Sequence, residues 1–162
     1  MSPLLFNIFI NDLPETLKKG KTDPVQLQGS SVNSMLWADD IVLLSETKEG
    51  LQQCLDNLGN YCNEWKLEIN FKKTKSIIFN KTGKNIKNNG LKLNSIKIEN
   101  VSSFPYLGFT ISASGKFNHG IQKLIDKAQR AWFSILRILN NSKHKKVDTY
   151  LLLFDRIIKP IP

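Results

Sequence analysis

Residues 35–44 read Met35-Leu36-Trp37-Ala38-Asp39-Asp40-Ile41-Val42-Leu43-Leu44, an apolar run that only two adjacent carboxylates interrupt. Apolar segments on both sides of a short polar pair are typical of a β-hairpin. We therefore predict two largely buried strands, with Asp39 and Asp40 at the tip that joins them.

The paired carboxylates admit two interpretations. Like charges this close resist joint ionisation unless a cation lies between them, and Mg²⁺ accepts one or two carboxylates together with substrate phosphates. This chemistry favours a site for a divalent metal. Aspartate is also common in turns, where its side chain bonds to the local backbone, so a purely structural polar turn remains open.

The pattern around the hairpin is that of alternating helices and short strands. The most regular helix follows Thr47, which suits an N-cap, because apolar residues then recur at steps of four, three, four and three: Leu51, Leu55, Leu58, Cys62 and Trp65. Further helices are predicted near the N-terminus, where Pro3 suits the first turn, and over 121–139 and 147–158. Extended segments are predicted at 25–28, 67–70, 76–79, 91–93, 96–98 and 106–111, and turns or polar loops at 29–31, 72–75, 81–90 and 112–115. This order predicts an α+β domain followed by a helical element.

The composition is that of a folded protein. Its 162 residues, 41% hydrophobic and 23% charged, suit one domain or a domain and a piece, and exclude a disordered tail. Neither a signal peptide nor an apolar run of membrane-spanning length is found. Two cysteines and two histidines give no disulfide framework and no zinc cluster. We expect an intracellular protein in a reducing compartment, with no membrane partner; nucleus and cytoplasm are not distinguished.

The net charge of +9 is unevenly distributed. Residues 1–65 carry four lysines against nine acids, 66–97 carry nine lysines against Glu68 alone, and 98–162 carry ten basic residues against four acids. Such an excess is the electrostatic footprint of a polyanion partner. A lysine-rich solvated surface with no partner remains the alternative.

Residues 35–44 closely resemble the aromatic-Ala-Asp-Asp hairpin of reverse transcriptases from LINE-type non-LTR retrotransposons. Four further stretches resemble motifs of this family, in the same order. They are Ser2 to Leu13 (SPLLFNIFINDL), Lys66 to Thr74 (KLEINFKKT), Phe104 to Gly108 (FPYLG) and Phe154 to Ile161 (FDRIIKPI). Each motif is weak alone, but five in register are specific, and together they cover essentially the whole chain.

The resemblance implies a partial polymerase palm, an antiparallel sheet with packed helices, over residues 1–111, and a partial helical thumb over 112–162. It implies an RNA-directed DNA polymerase that extends a DNA primer on an RNA template with deoxynucleoside triphosphates, by two-metal nucleotidyl transfer with Mg²⁺ or Mn²⁺. A structural partner module without nucleic-acid affinity is a further alternative.

The resemblance also assigns roles to individual residues. Asp39 would be the main metal ligand and Asp40 the weaker one, and Lys73 would protonate the departing pyrophosphate. The nucleotide pocket would include Ser2, Pro3 and Trp37. Contacts to primer and template would come from Tyr106, Leu107, Gly108, Lys72, Lys75, Lys123, Lys127 and Arg130. Without the family, each has an ordinary alternative, as a helix cap, a core strand or a solvated lysine.

The chain departs from the family in two respects. A further metal-binding Asp, the fingers and the upstream palm segments have no counterpart in the sequence, so we expect a fragment that is inactive alone. Trp37 also stands where Tyr or Phe is usual, which puts nucleotide binding in doubt. A non-catalytic nucleic-acid-binding remnant of a retrotransposon is therefore the alternative function.

Overall fold

The computed structural model describes residues 3–84, 86, 90–140 and 147–160. Its contacts divide the chain into two compact units. The first comprises Met1–Ser76 and Asn88–Glu99, and the second comprises Ile77–Lys87 and Asn100–Pro162. The mixture of helices and short strands is compatible with the predicted α+β class.

The first unit contains three helices and several short strands. The helices are α1 (Pro3–Phe9), α2 (Leu13–Leu17) and α3 (Lys48–Glu64). The strands are β1 (Val25–Leu27), β2 (Ser30–Val32), β3 (Ser34–Trp37), β4 (Asp40–Leu43), β5 (Lys75–Ser76), β6 (Lys92–Leu93) and β7 (Ile96–Lys97). Antiparallel pairing joins β1 to β2, β3 to β4 and β6 to β7. A further strand, β8 (Glu99–Asn100), lies where the two units divide.

Helix α3 is the centre of the first unit. Thr47 caps it as predicted, because its hydroxyl accepts a hydrogen bond from the Gly50 amide at 3.0 Å. Two apolar clusters pack against its sides. Leu58, Tyr61 and Cys62 share one cluster with Ile10, Leu13 and Leu17, and Leu55 shares the other with Leu91, Leu93 and Ile98. Trp65, predicted as part of the buried stripe, is instead an exposed C-cap residue.

Several predicted strands and turns are wrong in detail. Ser30 and Ser31 belong to β2, because the hairpin turn is formed by Gln28 and Gly29, both with positive φ. Residues 67–70 form no strand, although Leu67 and Ile69 pack against the first cluster. Only Ser76 of the predicted strand 76–79 is extended in a ladder. The loop at 81–90 falls partly outside the described residues.

The β3–β4 hairpin is less buried than predicted. Leu36, Ile41 and Leu43 pack against the first cluster, but Met35 and Trp37 are exposed, Trp37 to 66%. The reason is geometric, since successive side chains point to opposite faces of a strand and only one face of this hairpin meets the core.

The second unit combines one hairpin with helices. Its elements are β9 (Ser103–Tyr106), β10 (Phe109–Ser112), α4 (Asn118–Asn140) and α5 (Val147–Leu153), followed by a π-helical turn (Phe154–Ile158). The predicted helices are confirmed. The strand predicted over 106–111 is instead a hairpin, because Leu107 and Gly108 form a turn with φ of +46° and +82°.

Packing in the second unit is concentrated at two places. Near its C-terminal end, α4 buries Ile135 and Leu139 against Ile158. Near its N-terminal end, α4 contacts β10 at Gly120, where an added Cβ would lie 2.4 Å from Phe109 and 2.6 Å from the Thr110 carbonyl. Of the helices that the structure describes, none combines the length and apolar character needed to cross a bilayer.

We expect Gly120→Ala to lower the free energy of unfolding by about 1–3 kcal/mol, because the new methyl group forces α4 away from β10. The higher helix propensity of alanine, worth about 1 kcal/mol, acts in the opposite direction and is smaller than a backbone clash. Urea unfolding measures the difference. Gln129→Ala, at an exposed position of the same helix, is the matched control and should change stability by less than about 0.5 kcal/mol. A Gly120→Ala protein as stable as wild type would contradict the close contact.

Candidate active site and nucleic-acid groove

The acidic pair lies at the turn of the β3–β4 hairpin, one residue out of the predicted register. Trp37 pairs with Asp40, so the turn itself is Ala38 and Asp39, and Ala38 has a φ of +51°. Directly opposite residues share one face of a hairpin. Asp40 therefore lies on the face of Trp37, away from the core that holds Leu36.

Both carboxylates are exposed and neither forms a hydrogen bond or ion pair with another described residue. Carboxylate oxygens are the hard ligands that Mg²⁺ prefers, so the donor chemistry of Asp39 and Asp40 fits the ion. The number of donors is incomplete. Within the described ranges, no three side chains of the His, Cys, Asp and Glu types gather into a metal-binding group.

Other aspartates of the first unit have structural partners. The Tyr61 hydroxyl donates a hydrogen bond to Asp12 at 2.7 Å, and the Thr47 hydroxyl donates one to Asp23. Burial, followed by the contact with Asp12, raises the pKa of Tyr61 well above its usual range. This hydrogen bond thus links the segment that follows α1 to α3.

The three lysines predicted to act near the hairpin differ in their surroundings. Lys72 and Lys73 are exposed in a turn that Asn70 organises, since its carbonyl accepts hydrogen bonds from the amides of Lys73 and Thr74. Lys75 instead forms an ion pair with Glu99 and is only 23% exposed. Its charge is therefore engaged within the protein.

The predicted nucleotide-pocket residues are only partly visible. Trp37 lies beside Asp40 on the exposed face of the hairpin. Pro3 is the first residue of α1. Ser2 lies outside the described residues.

A groove in the second unit gathers four of the predicted primer and template residues. It has a volume of about 360 Å³ and lies between the β9–β10 turn and α4. The predicted residues that line it are Gly108, Lys123, Lys127 and Arg130. The basic positions are spaced by four and three residues and so share one face of the helix. Tyr106 and Leu107 belong to the adjacent hairpin, where Tyr106 is half-buried and Leu107 is exposed.

Sequence reasoning missed the other residues of this groove, which are Thr110, Gly120, Leu124 and Asp126. Asp126 is held by a hydrogen bond from the Gln122 amide at 2.8 Å and is the acid among three cations. Asp126 lies three residues after Lys123 and four before Arg130, so all three share one helix face. This spacing could have identified Asp126 from the sequence. Nothing in the local pattern marked Thr110.

Comparisons with known proteins agree with the motifs. The profile of the family described as reverse transcriptase (RNA-dependent DNA polymerase) matches residues 1–111. The RNA-directed DNA polymerase from mobile element jockey of Drosophila melanogaster is 27% identical over 131 residues, which are 76% of this chain and 13% of that protein. The probable RNA-directed DNA polymerase from transposon BS of the same fly is 23% identical over 167 residues, covering 99% of this chain and 18% of that protein. No solved structure matches the chain.

The chain thus spans less than a fifth of the length of these two curated relatives. The matched segment 1–111 contains the hairpin with Asp39 and Asp40 as well as the turn at Leu107 and Gly108. The α4 residues of the groove lie beyond it.

We expect Tyr61→Phe to lower the free energy of unfolding by about 1–2 kcal/mol at neutral pH, because a part-buried hydrogen bond to an exposed carboxylate is lost. The pKa of Tyr61 is raised in the folded state, so the fold favours the neutral phenol. This stabilisation is complete below the ordinary tyrosine pKa of about 10. It declines as the pH rises above that value, because the phenol of the unfolded chain ionises first, and it is lost once the pH has passed the raised pKa. Urea titrations from pH 7 to 11 measure it. A wild-type advantage over Tyr61→Phe that stays constant up to pH 11 would contradict the assignment.

Proposed function

The chain belongs to the reverse transcriptase (RNA-dependent DNA polymerase) family, and from that premise we propose that it contributes part of the catalytic palm and of the thumb of an RNA-directed DNA polymerase. The resemblance to enzymes of LINE-type elements, inferred from five motifs, is confirmed by the relatives. The family is one of nucleotidyltransferases. We keep the division into a partial palm over 1–111 and a partial thumb over 112–162 as part of the proposal.

The observation that carries the proposal is the exposure of two unpaired carboxylates at the turn of a core-anchored hairpin. A structural turn of the kind that Asp favours would use the side-chain oxygens in local hydrogen bonds. Neither Asp39 nor Asp40 does so with any residue in the described part of the chain. Their oxygens are therefore available to a cation.

In the complete polymerase, Asp39 would be the principal metal ligand from this chain and Asp40 the weaker one. When bound, two Mg²⁺ or Mn²⁺ ions supply activation of a primer 3′-hydroxyl and stabilisation of the pyrophosphate leaving group. Lys73, which is exposed and has no carboxylate partner among the described residues, would donate a proton to the pyrophosphate oxygen. Trp37, beside Asp40, would contact the incoming deoxynucleoside triphosphate.

The groove of the second unit would hold the primer paired to its RNA template. Lys123, Lys127 and Arg130 offer three positive charges along one helix face, and each can neutralise a backbone phosphate. Gly108, at a φ of +82° and without a side chain, would let the backbone approach the primer closely. On the first unit considered by itself, Lys72 would contact a phosphate, whereas Lys75 would first have to leave Glu99.

We also propose that the 162 residues alone do not polymerise. Mg²⁺ requires near-octahedral coordination, and two carboxylates without a third protein ligand among the described residues hold it weakly. Charge that develops in the transition state would then remain unneutralised. The alternative function, a non-catalytic remnant that binds nucleic acid, differs in that it would be indifferent to metal.

The metal site is tested by titrating Mn²⁺ and following paramagnetic broadening of the backbone amide resonances. We expect broadening confined to residues around the hairpin turn, lost in Asp39→Asn, and retained in Asp56→Asn, which removes an exposed carboxylate from α3. In primer extension, the wild-type chain should give no product. Broadening that persists in Asp39→Asn would refute the metal site, and extension that vanishes in Asp39→Asn would refute the proposed inactivity.

The groove is tested by the salt dependence of binding to a fluorescent RNA–DNA hybrid. Each phosphate contact contributes about 0.9 to the slope of log K against log salt concentration for duplex DNA. We expect Lys127→Gln/Arg130→Gln to reduce the slope by about 1–2. The control Lys116→Gln/Arg137→Gln removes the same charge from exposed positions that do not line the groove. Equal slopes for the two double variants would exclude a specific role for the groove.

A further inference from the structure

The β6–β7 hairpin of the first unit presents two lysines directly opposite each other. Lys92 pairs with Lys97 in the antiparallel register, and Asn94 and Ser95 form the turn between the strands. The adjacent pair is hydrogen-bonded, since the Ile98 amide donates to the Leu91 carbonyl at 3.0 Å. Lys92 and Lys97 thus form the closer, non-hydrogen-bonded type of pair, with Cβ atoms about 4.5–5.5 Å apart on one face.

A third cation lies beside the residue that begins the approach to this hairpin, Gly90. The ammonium of Lys48, in the first turn of α3, lies 2.9 Å from the position that a Cβ on Gly90 would occupy. Gly90 directly precedes the strand region of Leu91 and Lys92, and its lack of a side chain leaves room for the Lys48 ammonium. All three lysines are exposed.

The backbone that carries Lys92 is fixed by hydrogen bonds and by the burial of the neighbouring side chains. Gln52, one turn after Lys48, fixes the backbone of Lys92 with both ends of its amide, accepting from the Lys92 amide at 2.9 Å and donating to its carbonyl at 2.8 Å. On the opposite face, Leu91 and Leu93 are buried in the second apolar cluster. The exposed face is thus fixed by the burial of the other.

The charge of this surface is poorly compensated. Within the described residues, the salt bridges involve Lys18, Lys75 and Lys159 and none of these three lysines. Asp56 accepts a hydrogen bond from the Gln52 amide at 2.7 Å. Like charges directly opposite on a hairpin destabilise it. Such an arrangement suits a partner that brings negative charge.

We propose that Lys48, Lys92 and Lys97 form a second nucleic-acid-binding surface, on the first unit, which binds the phosphodiester backbone without reading bases. It shares no residue with the groove that contains Lys127, and it does not rest on polymerase activity. Lysine ammonium groups act here as point charges toward phosphate oxygens, and two of them project side by side from a fixed backbone.

The test measures both stability and binding in the full 162-residue chain. We expect Lys92→Gln/Lys97→Gln to reduce the salt slope for a 20-base-pair RNA–DNA hybrid by about 1–2, while the thermal midpoint rises or stays unchanged because the like-charge contact is relieved. Lys19→Gln/Lys21→Gln removes two exposed lysines from the same unit and should leave the slope unchanged. Polyglutamate with the same total charge as the hybrid should compete only weakly with the hybrid for binding to the chain.

Each other outcome overturns the proposal. A slope equal to that of the Lys19/Lys21 control would show that the surface does not contact phosphate, and a fall in the thermal midpoint would show that the lysines serve the fold. Strong competition by polyglutamate would indicate an acidic protein partner instead. If Lys92→Gln/Lys97→Gln leaves the salt slope unchanged while Lys127→Gln/Arg130→Gln still reduces it, this surface is refuted and the proposed groove is not. The two proposals can therefore fail separately.

Discussion

One-sided burial of the β3–β4 hairpin is the constraint on which the candidate active site depends. Leu36 and Ile41 pack into the core, and the alternation of a strand then forces Trp37 and Asp40 to the exposed face. A slip of one residue in the register would exchange the two faces and bring a carboxylate into the core. The desolvation of that charge opposes the slip. The same apolar contacts that stabilise the hairpin therefore determine where its acids lie.

Helix α3 packs against the segments that position the β3–β4 hairpin, and it also packs against the β6–β7 hairpin that carries Lys92 and Lys97. Its two sides meet different apolar clusters, one shared with the α1–α2 segment and one with the β6–β7 hairpin. Tyr61 fixes Asp12 on one side and Gln52 fixes Lys92 on the other. Destabilising α3 should therefore disturb the acidic and basic features together, because both are positioned by contacts with the same helix.

The sequence was sufficient wherever the determining interactions are local. The spacing from Leu51 to Cys62 and the cap at Thr47 predicted α3. The cations Lys123, Lys127 and Arg130 were instead named by the resemblance to the family. The hairpin around Asp39 was predicted, but its register was not, because Ala38 occupies a positive φ that its residue type does not signal.

Features that depend on distant contacts were not predictable. Leu67 and Ile69 show the alternation of a strand, yet no neighbouring strand pairs with them in the described structure. The ion pair between Lys75 and Glu99 joins residues 24 positions apart. Thr110 and Gly120 line the groove because α4 packs on β10, and no local pattern predicts that contact. The family motifs name candidate residues, but they do not predict which side chains lie beside them.

Anomalous diffraction can decide whether the turn at Asp39 and Asp40 binds a divalent cation. Crystals of the 162-residue chain would be grown with Mn²⁺ and a deoxynucleoside triphosphate, and data collected at the manganese absorption edge. We expect an anomalous peak within coordination distance of a carboxylate oxygen of Asp39. Full nucleotide occupancy with manganese bound only to phosphates, and the two aspartates turned away, would contradict it.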